Sequence, residues 1–299
     1  MKKILLSLFC LVLALGIKAQ GLEKVYVETY YVSDANDQAN SITPLPAGSI
    51  TYRLYLDMLP GYTFKLAYGA SIQPLIISSP NSAIYNHESG LSLPTFTKTN
   101  VQKNTVMLDS WVTGGGTTNG YYAVPKEFDA AAGGALFVNS NIPKLLQNGV
   151  VATKNYNIPL TTQDGMWTAV VEPCKTIGID TELGLLGTND TDGDGTVDVQ
   201  SSFIVNSEIG GGWGPLNGVM GVTPENMVLI AQITLLNNAT NDPILNYDFN
   251  IQLSSPTGGK ENYSTRPLPT DFSGPQYKLS GTLNASVVLP TASITSPAV

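Results

Sequence analysis

A single histidine and two cysteines in 299 residues remove several kinds of chemistry from consideration. A zinc centre built from several histidines is excluded, and a histidine-centred acid–base mechanism would rest on His87 alone. Cys10 lies in the apolar opening segment. Once that segment is removed, Cys174 has no partner within the chain, and the protein is not a disulfide-built scaffold. Cys174 is expected to be buried as a small apolar side chain, with a free or intermolecular thiol as the alternative; Pro173 and Lys175 beside it supply no nucleophile motif.

Charge is scarce and of the wrong sign for nucleic acid. Lys and Arg number 15 against 23 Asp and Glu, a formal net charge of -8, whereas phosphate backbones are bound by concentrated positive surfaces. Walker-type phosphate loops, dinucleotide fingerprints, serine-nucleophile elbows and paired-cysteine redox motifs are all missing. After the first residues no segment is uniformly apolar over the ~20 positions that a membrane-spanning helix needs.

What stands at the start is informative. Met1, Lys2 and Lys3 precede an uncharged run over residues 4–16 that includes Leu5, Leu6, Leu8, Phe9, Leu11, Val12, Leu13 and Leu15. A basic stretch followed by a short apolar one is the form of a secretory signal peptide, with cleavage expected after Ala19 or Gln20. Residues 1–19 contain three lysines and no acid, so the mature chain is more acidic still. The expected destination is outside the cytoplasm: secreted or on the outer cell surface, with the periplasm as a further option.

The remaining sequence is rich in punctuation, with 29 Gly and 19 Pro, and its apolar residues recur with period two. Residues 25–32 are rich in β-branched and aromatic side chains. Ile50, Tyr52, Leu54 and Leu56 can share one face; after Pro60-Gly61 the pattern resumes at Tyr62, Phe64, Leu66 and Tyr68, which predicts an antiparallel pair. Met227, Leu229, Ala231, Ile233 and Leu235 form another apolar face, and Tyr247, Phe249, Ile251 and Leu253 a further one. A polar loop joins them at residues 237–243, and another strand is predicted over 277–288. One buried and one wetter face per strand predicts a mainly β fold, an antiparallel β-sandwich. It is read either as one elaborated sandwich or as two packed β-rich domains, 20–150 and 151–299. Helical patterns are brief: a capped turn at 141–149 and another at 223–226. The glycine-rich stretches 114–120 and 210–215 read as loops.

One loop carries a chemical pattern. In residues 189–198, Asp190, Asp192 and Asp194 fall at positions 1, 3 and 5 of a calcium loop, Gly195 at position 6, Thr196 at 7 and Asp198 at 9. Alternate carboxylates can converge on one hard cation, Thr196 through its carbonyl and Asp198 through water. Mutual repulsion among the acids favours a divalent ion, and Ca2+ suits such a shell better than Mg2+. The segment resembles the calcium loops of the EF-hand, dockerin and thrombospondin type 3 families over about ten residues. Position 12, however, is Ser201 where an EF-hand has glutamate. A regulatory switch is therefore not expected. Water or a distant acid such as Glu208, Glu182 or Asp180 would have to complete the shell, and the metal's role is to order the loop.

Other side chains are candidates for a site. His87 is expected in an exposed loop. Asp109, Glu127, Asp129, Asp164, Glu172, Asp180 and Glu182 are expected to be solvated or to form turns, and no catalytic residue is nominated. Trp111, Trp167, Trp213, Tyr121 and Tyr122 are expected mainly in the core; exposed in a row, they would instead make a sugar-stacking platform.

The opening segment ending in Lys18-Ala19-Gln20 is similar to those of secreted proteins of Gram-negative Bacteroidota, and residues 48–55 and 227–234 resemble segments of uncharacterised secreted β-rich proteins of that group. The resemblance implies export and supplies no activity. The function expected is that of an extracellular or cell-surface structural or interaction protein with a calcium-stabilised loop, binding a protein or polysaccharide. A carbohydrate-binding module and an exported hydrolase are the alternatives.

Overall fold

The computed structural model describes residues 20–35, 37, 44–96, 105–118, 121–129, 165–186, 200–238, 240–266 and 276–278. The signal peptide, the turn at 141–149, the calcium-loop pattern at 189–198 and most of the strand predicted over 277–288 lie outside these residues.

In chain order the strands are β1 (Leu22–Val32), β2 (Ile50–Met58), β3 (Thr63–Gly69), β4 (Leu75–Ser78), β5 (Trp111–Val112), β6 (Gly116–Thr118), β7 (Tyr121–Ala123) and β8 (Met166–Thr168). They continue with β9 (Cys174–Ile177), β10 (Ser202–Val205), β11 (Gly211–Pro215), β12 (Met227–Leu235), β13 (Asn246–Asp248), β14 (Asn250–Ser254), β15 (Lys260–Ser264) and β16 (Gln276–Lys278). A four-stranded sheet runs β1-β2-β12-β5 and a six-stranded one β16-β15-β14-β3-β11-β9. Two three-stranded sheets run β10-β4-β13 and β6-β7-β8. Pairing is antiparallel except between β15 and β16. The four-stranded sheet places β12 between β2 and β5, and the six-stranded sheet places β3 between β14 and β11, so strands from before and after residue 150 share both sheets. Among the described residues, helix is confined to single turns such as Lys126–Asp129 and Asp180–Leu183.

The main core lies between the four-stranded sheet and the six-stranded sheet with its three-stranded neighbour. Tyr52, Leu54, Leu56, Ile230 and Ile233 meet Phe64, Ile77, Phe203, Trp213, Ile251 and Leu253 there. Each of these large apolar side chains contributes about 1.5–3 kcal/mol by leaving water. Phe203 and Trp213 meet edge-on with centroids 5.9 Å apart. The predicted β-sandwich is therefore present.

Three details depart from the pattern read in the sequence. First, β2 and β3 are not a pair: β2 lies between β1 and β12, and β3 between β11 and β14. The turn Leu59–Tyr62, closed by the Tyr62 N–H on the Leu59 carbonyl and with Gly61 at φ 82°, carries the chain from one sheet to the other. Alternating patterns look the same in a hairpin and in a connection across a sandwich, because in both cases the apolar faces point to one core. Second, β12 is buried along its whole length and has a register shift between Leu229 and Ala231. The extra residue, Ile230, reverses the alternation. Ala231, Ile233 and Leu235 thus face the main core, whereas Met227 and Leu229 face a second one.

That second core covers the other side of the four-stranded sheet, so β2 and β12 lack the predicted wetter face. Tyr30, Tyr55, Leu229 and Trp111 are covered there by Tyr85, Phe96, Leu108, Tyr121 and Met166. Third, both glycine-rich stretches contribute strands: β6 and β7 form a hairpin, and β11 is interior to the six-stranded sheet. The turn at 223–226 forms as predicted, with the Asn226 N–H on the Thr223 carbonyl. Asn226 Nδ2 also donates to the Leu59 and Tyr62 carbonyls, which fastens the sheet-crossing turn.

Candidate functional site

Most side chains with chemical potential are used inside the fold. His87, expected in an exposed loop, is fully buried. Its N–H donates to Asp109 Oδ1 at 2.8 Å, its Nδ1 accepts from the Ser89 N–H, and its ring meets Tyr85 edge-on. A carboxylate far along the chain draws the His87 loop inward, and local composition does not report that.

Asp109 itself, expected to be solvated, is also fully buried. It accepts the N–H groups of His87 and Leu91 on its two oxygens. Burial pushes its carboxyl up to about 8, against the opposing pull of these donors. Asp129 is buried as well and accepts the Gly165 N–H at 3.0 Å. These acids tie loops together through backbone N–H groups. Glu127 and Asp180 are exposed, and Glu172 and Glu182 are partly so. Among the described residues no three His, Cys, Asp or Glu side chains gather as a metal site.

Trp111, Trp213, Tyr121 and Tyr122 are buried, as core packing required, and Trp167 packs against the main core half-covered. Trp213 Nε1 donates to the Ile230 carbonyl at the bulge. Cys174 is half-buried and packs on the same core. Burial pushes its thiol up to about 12, which suppresses the thiolate that a nucleophile needs.

An open concave surface lies elsewhere, on the outer face of the six-stranded sheet. On β11, Trp213 points into the core, and Gly212 and Gly214 leave the outer face without side chains. Around this bare strip Lys65 and Leu66 of β3, Lys175 and Ile177 of β9, and Gln252 of β14 form a cavity of about 490 Å³. A second cavity of about 380 Å³ shares Leu66, Ile177 and Gln252 and extends to Tyr68 and Ile209. Together they make a groove across the strands. Ile177, Ile209 and Leu216 on its walls are 66%, 92% and 73% exposed, and a cluster of aliphatic side chains held in water is a mark of an interaction surface.

The groove needs its glycines. A Cβ at Gly214 would lie 2.1 Å from the Lys65 carbonyl oxygen, and one at Gly212 2.2 Å from that of Ala67. Gly214→Ala is therefore expected to lower stability by about 2 kcal/mol by forcing β3 and β11 apart. An unchanged denaturation midpoint would show that the strands have room. The sequence reading missed this site because its residues come from four separated segments, brought together only by the strand order β14-β3-β11-β9. The Gly210–Pro215 stretch was the one local hint.

Among the described residues no helix is long and apolar enough to cross a membrane. Comparison with protein-family models, with curated proteins and with solved structures finds no match to this chain, so its function has to be argued from its own residues.

Proposed function

We propose that the chain is an exported structural or interaction protein of the cell surface or extracellular space. It works by holding a partner against the outer face of its six-stranded sheet, and residues 189–198 are ordered around a calcium ion. The observation that carries the binding part is the division of labour just described. Histidine and the buried acids close internal hydrogen bonds, while the groove is lined by aliphatic side chains, lysines, Gln252, Ser254 and Tyr68, with no carboxylate or histidine among its residues. Such a lining can recognise a surface and offers no carboxylate pair or histidine for hydrolysis. Export is supported by the basic and apolar opening of the sequence.

Calcium is supported by the donor set Asp190, Asp192, Asp194, Thr196 and Asp198. The chain runs from this segment directly into β10 (Ser202–Val205), not into a helix. An ion there would brace the entry to a strand and would not move a helix pair. Calorimetric titration of the mature protein with calcium should show binding that Asp192→Asn with Asp194→Asn abolishes; absence of heat at millimolar calcium would remove the metal from the proposal.

For the binding part, a photo-reactive amino acid in place of Leu216 should yield a covalent adduct on the surface of cells that natively express the protein. The same probe in place of Asn241, in an exposed loop, should not. Equal labelling from both positions, or none from Leu216, would sink the groove as the site.

A further inference from the structure

The groove is basic in a protein that is otherwise acidic. Lys65, Lys175 and Lys260 surround the larger cavity, which has no carboxylate in its lining. Among the described residues the ion pairs are Lys24 with Asp57 and Arg266 with Asp248, so none of these three lysines has an acid of its own. Lys65 is set in place in advance. Its ammonium donates to the Asn217 carbonyl at 2.6 Å, and it packs over Gly218, where a Cβ would lie 2.6 Å from its Nζ. Cations gathered at one cavity repel each other, and an anionic partner relieves that repulsion.

Charge is half of the chemistry. Leu66, Ile177 and Leu216 line the same cavity as the lysines, and exposed aliphatic surface is satisfied by apolar surface and gains little from sugar hydroxyls. On β9, Lys175 and Ile177 project from the same face two residues apart, an interval of about 7 Å that an extended chain reproduces in its own alternate side chains.

On the reading that this face is the binding site, we infer that it takes an extended polypeptide segment of a partner protein in which acidic and aliphatic side chains alternate. The carboxylates meet Lys65, Lys175 and Lys260, and the aliphatic side chains cover Leu66, Ile177 and Leu216. Anionic polysaccharide would satisfy the lysines and leave the aliphatic walls wet.

The test uses the mature protein and a fluorescent peptide repeating Glu-Ser-Leu-Ser, read by anisotropy. Binding is expected to weaken about tenfold or more when Lys65, Lys175 and Lys260 are all changed to Glu, and again for Ile177→Ser with Leu216→Ser. All five positions lie on the groove surface, and circular dichroism establishes that the variants remain folded. Peptides with Gln for Glu or Ser for Leu should bind worse than the parent.

No binding, binding that neither set of variants weakens, or tighter binding of an oligogalacturonate would overturn the inference. If the peptide fails while the probe at Leu216 still captures a partner, the ligand chemistry is wrong and the site stands. If that probe captures nothing either, the site itself falls.

Discussion

Arg53→Met should destabilise the protein by about 3–5 kcal/mol, measured by urea unfolding, although methionine fills much of the same volume. Arg53 is fully buried on β2. Its Nε donates to Gln232 Oε1 at 3.0 Å and its Nη1 to the Gly165 carbonyl at 3.2 Å. The guanidinium lies 3.4 Å over the Tyr30 ring centroid.

The negative partner is Glu28 on β1, which accepts the Lys126 N–H at 2.7 Å. Burial pushes the Glu28 carboxyl above its usual range, and the Arg53 charge pulls the other way. Removing the cation therefore leaves a buried acid without its main counter-charge and strips the Gln232 and Gly165 acceptors of a donor. The coupling gives a sharper readout: Arg53→Met with Glu28→Gln should cost clearly less than the two single changes added together. Strict additivity would mean that the two charges do not support each other.

Asp109→Asn should cost about 3 kcal/mol. Both carboxyl oxygens accept backbone N–H groups, from His87 and from Leu91. However the amide is turned, its NH2 faces one of those donors. The wild-type acid also sets a pH dependence. Its folded value of about 8 stands above its ordinary 3.8, so between these values the native state holds a proton that the unfolded chain has released. Stability from this group is therefore complete below about pH 4 and declines as the pH rises toward 8. Asp109→Asn should flatten that part of the pH–stability curve, and an unaltered slope in the variant would assign it to other groups.

Local pattern carried a good deal of this fold. Residues 25–32, 50–57 and 227–235 read as strands because they are β-branched, aromatic and apolar, and they are strands. The tryptophans at 111 and 213 read as core and are core. Partners and phase were less legible. Nothing near Pro60 distinguishes a hairpin from a crossing between sheets, and Ile230 looks like any strand residue until the register against Tyr55 and Leu54 shows it to be the extra one. His87 sits in a polar stretch and Asp109 in an apolar one, and the inward turn of the His87 loop depends on the bond between them across the chain. The groove is the least legible feature, since each of its strands is ordinary alone and its floor is made by missing side chains on β11.

The placement of β2 beside β12 has a consequence for how the chain comes into being. Leu56 pairs with Val228 and Tyr55 with Leu229, so the middle of the four-stranded sheet joins an early segment to a late one. Contacts this remote in sequence form slowly, and until β12 has been synthesised β2 has no neighbour on that side. The middle of the four-stranded sheet therefore cannot close until most of the chain has been made.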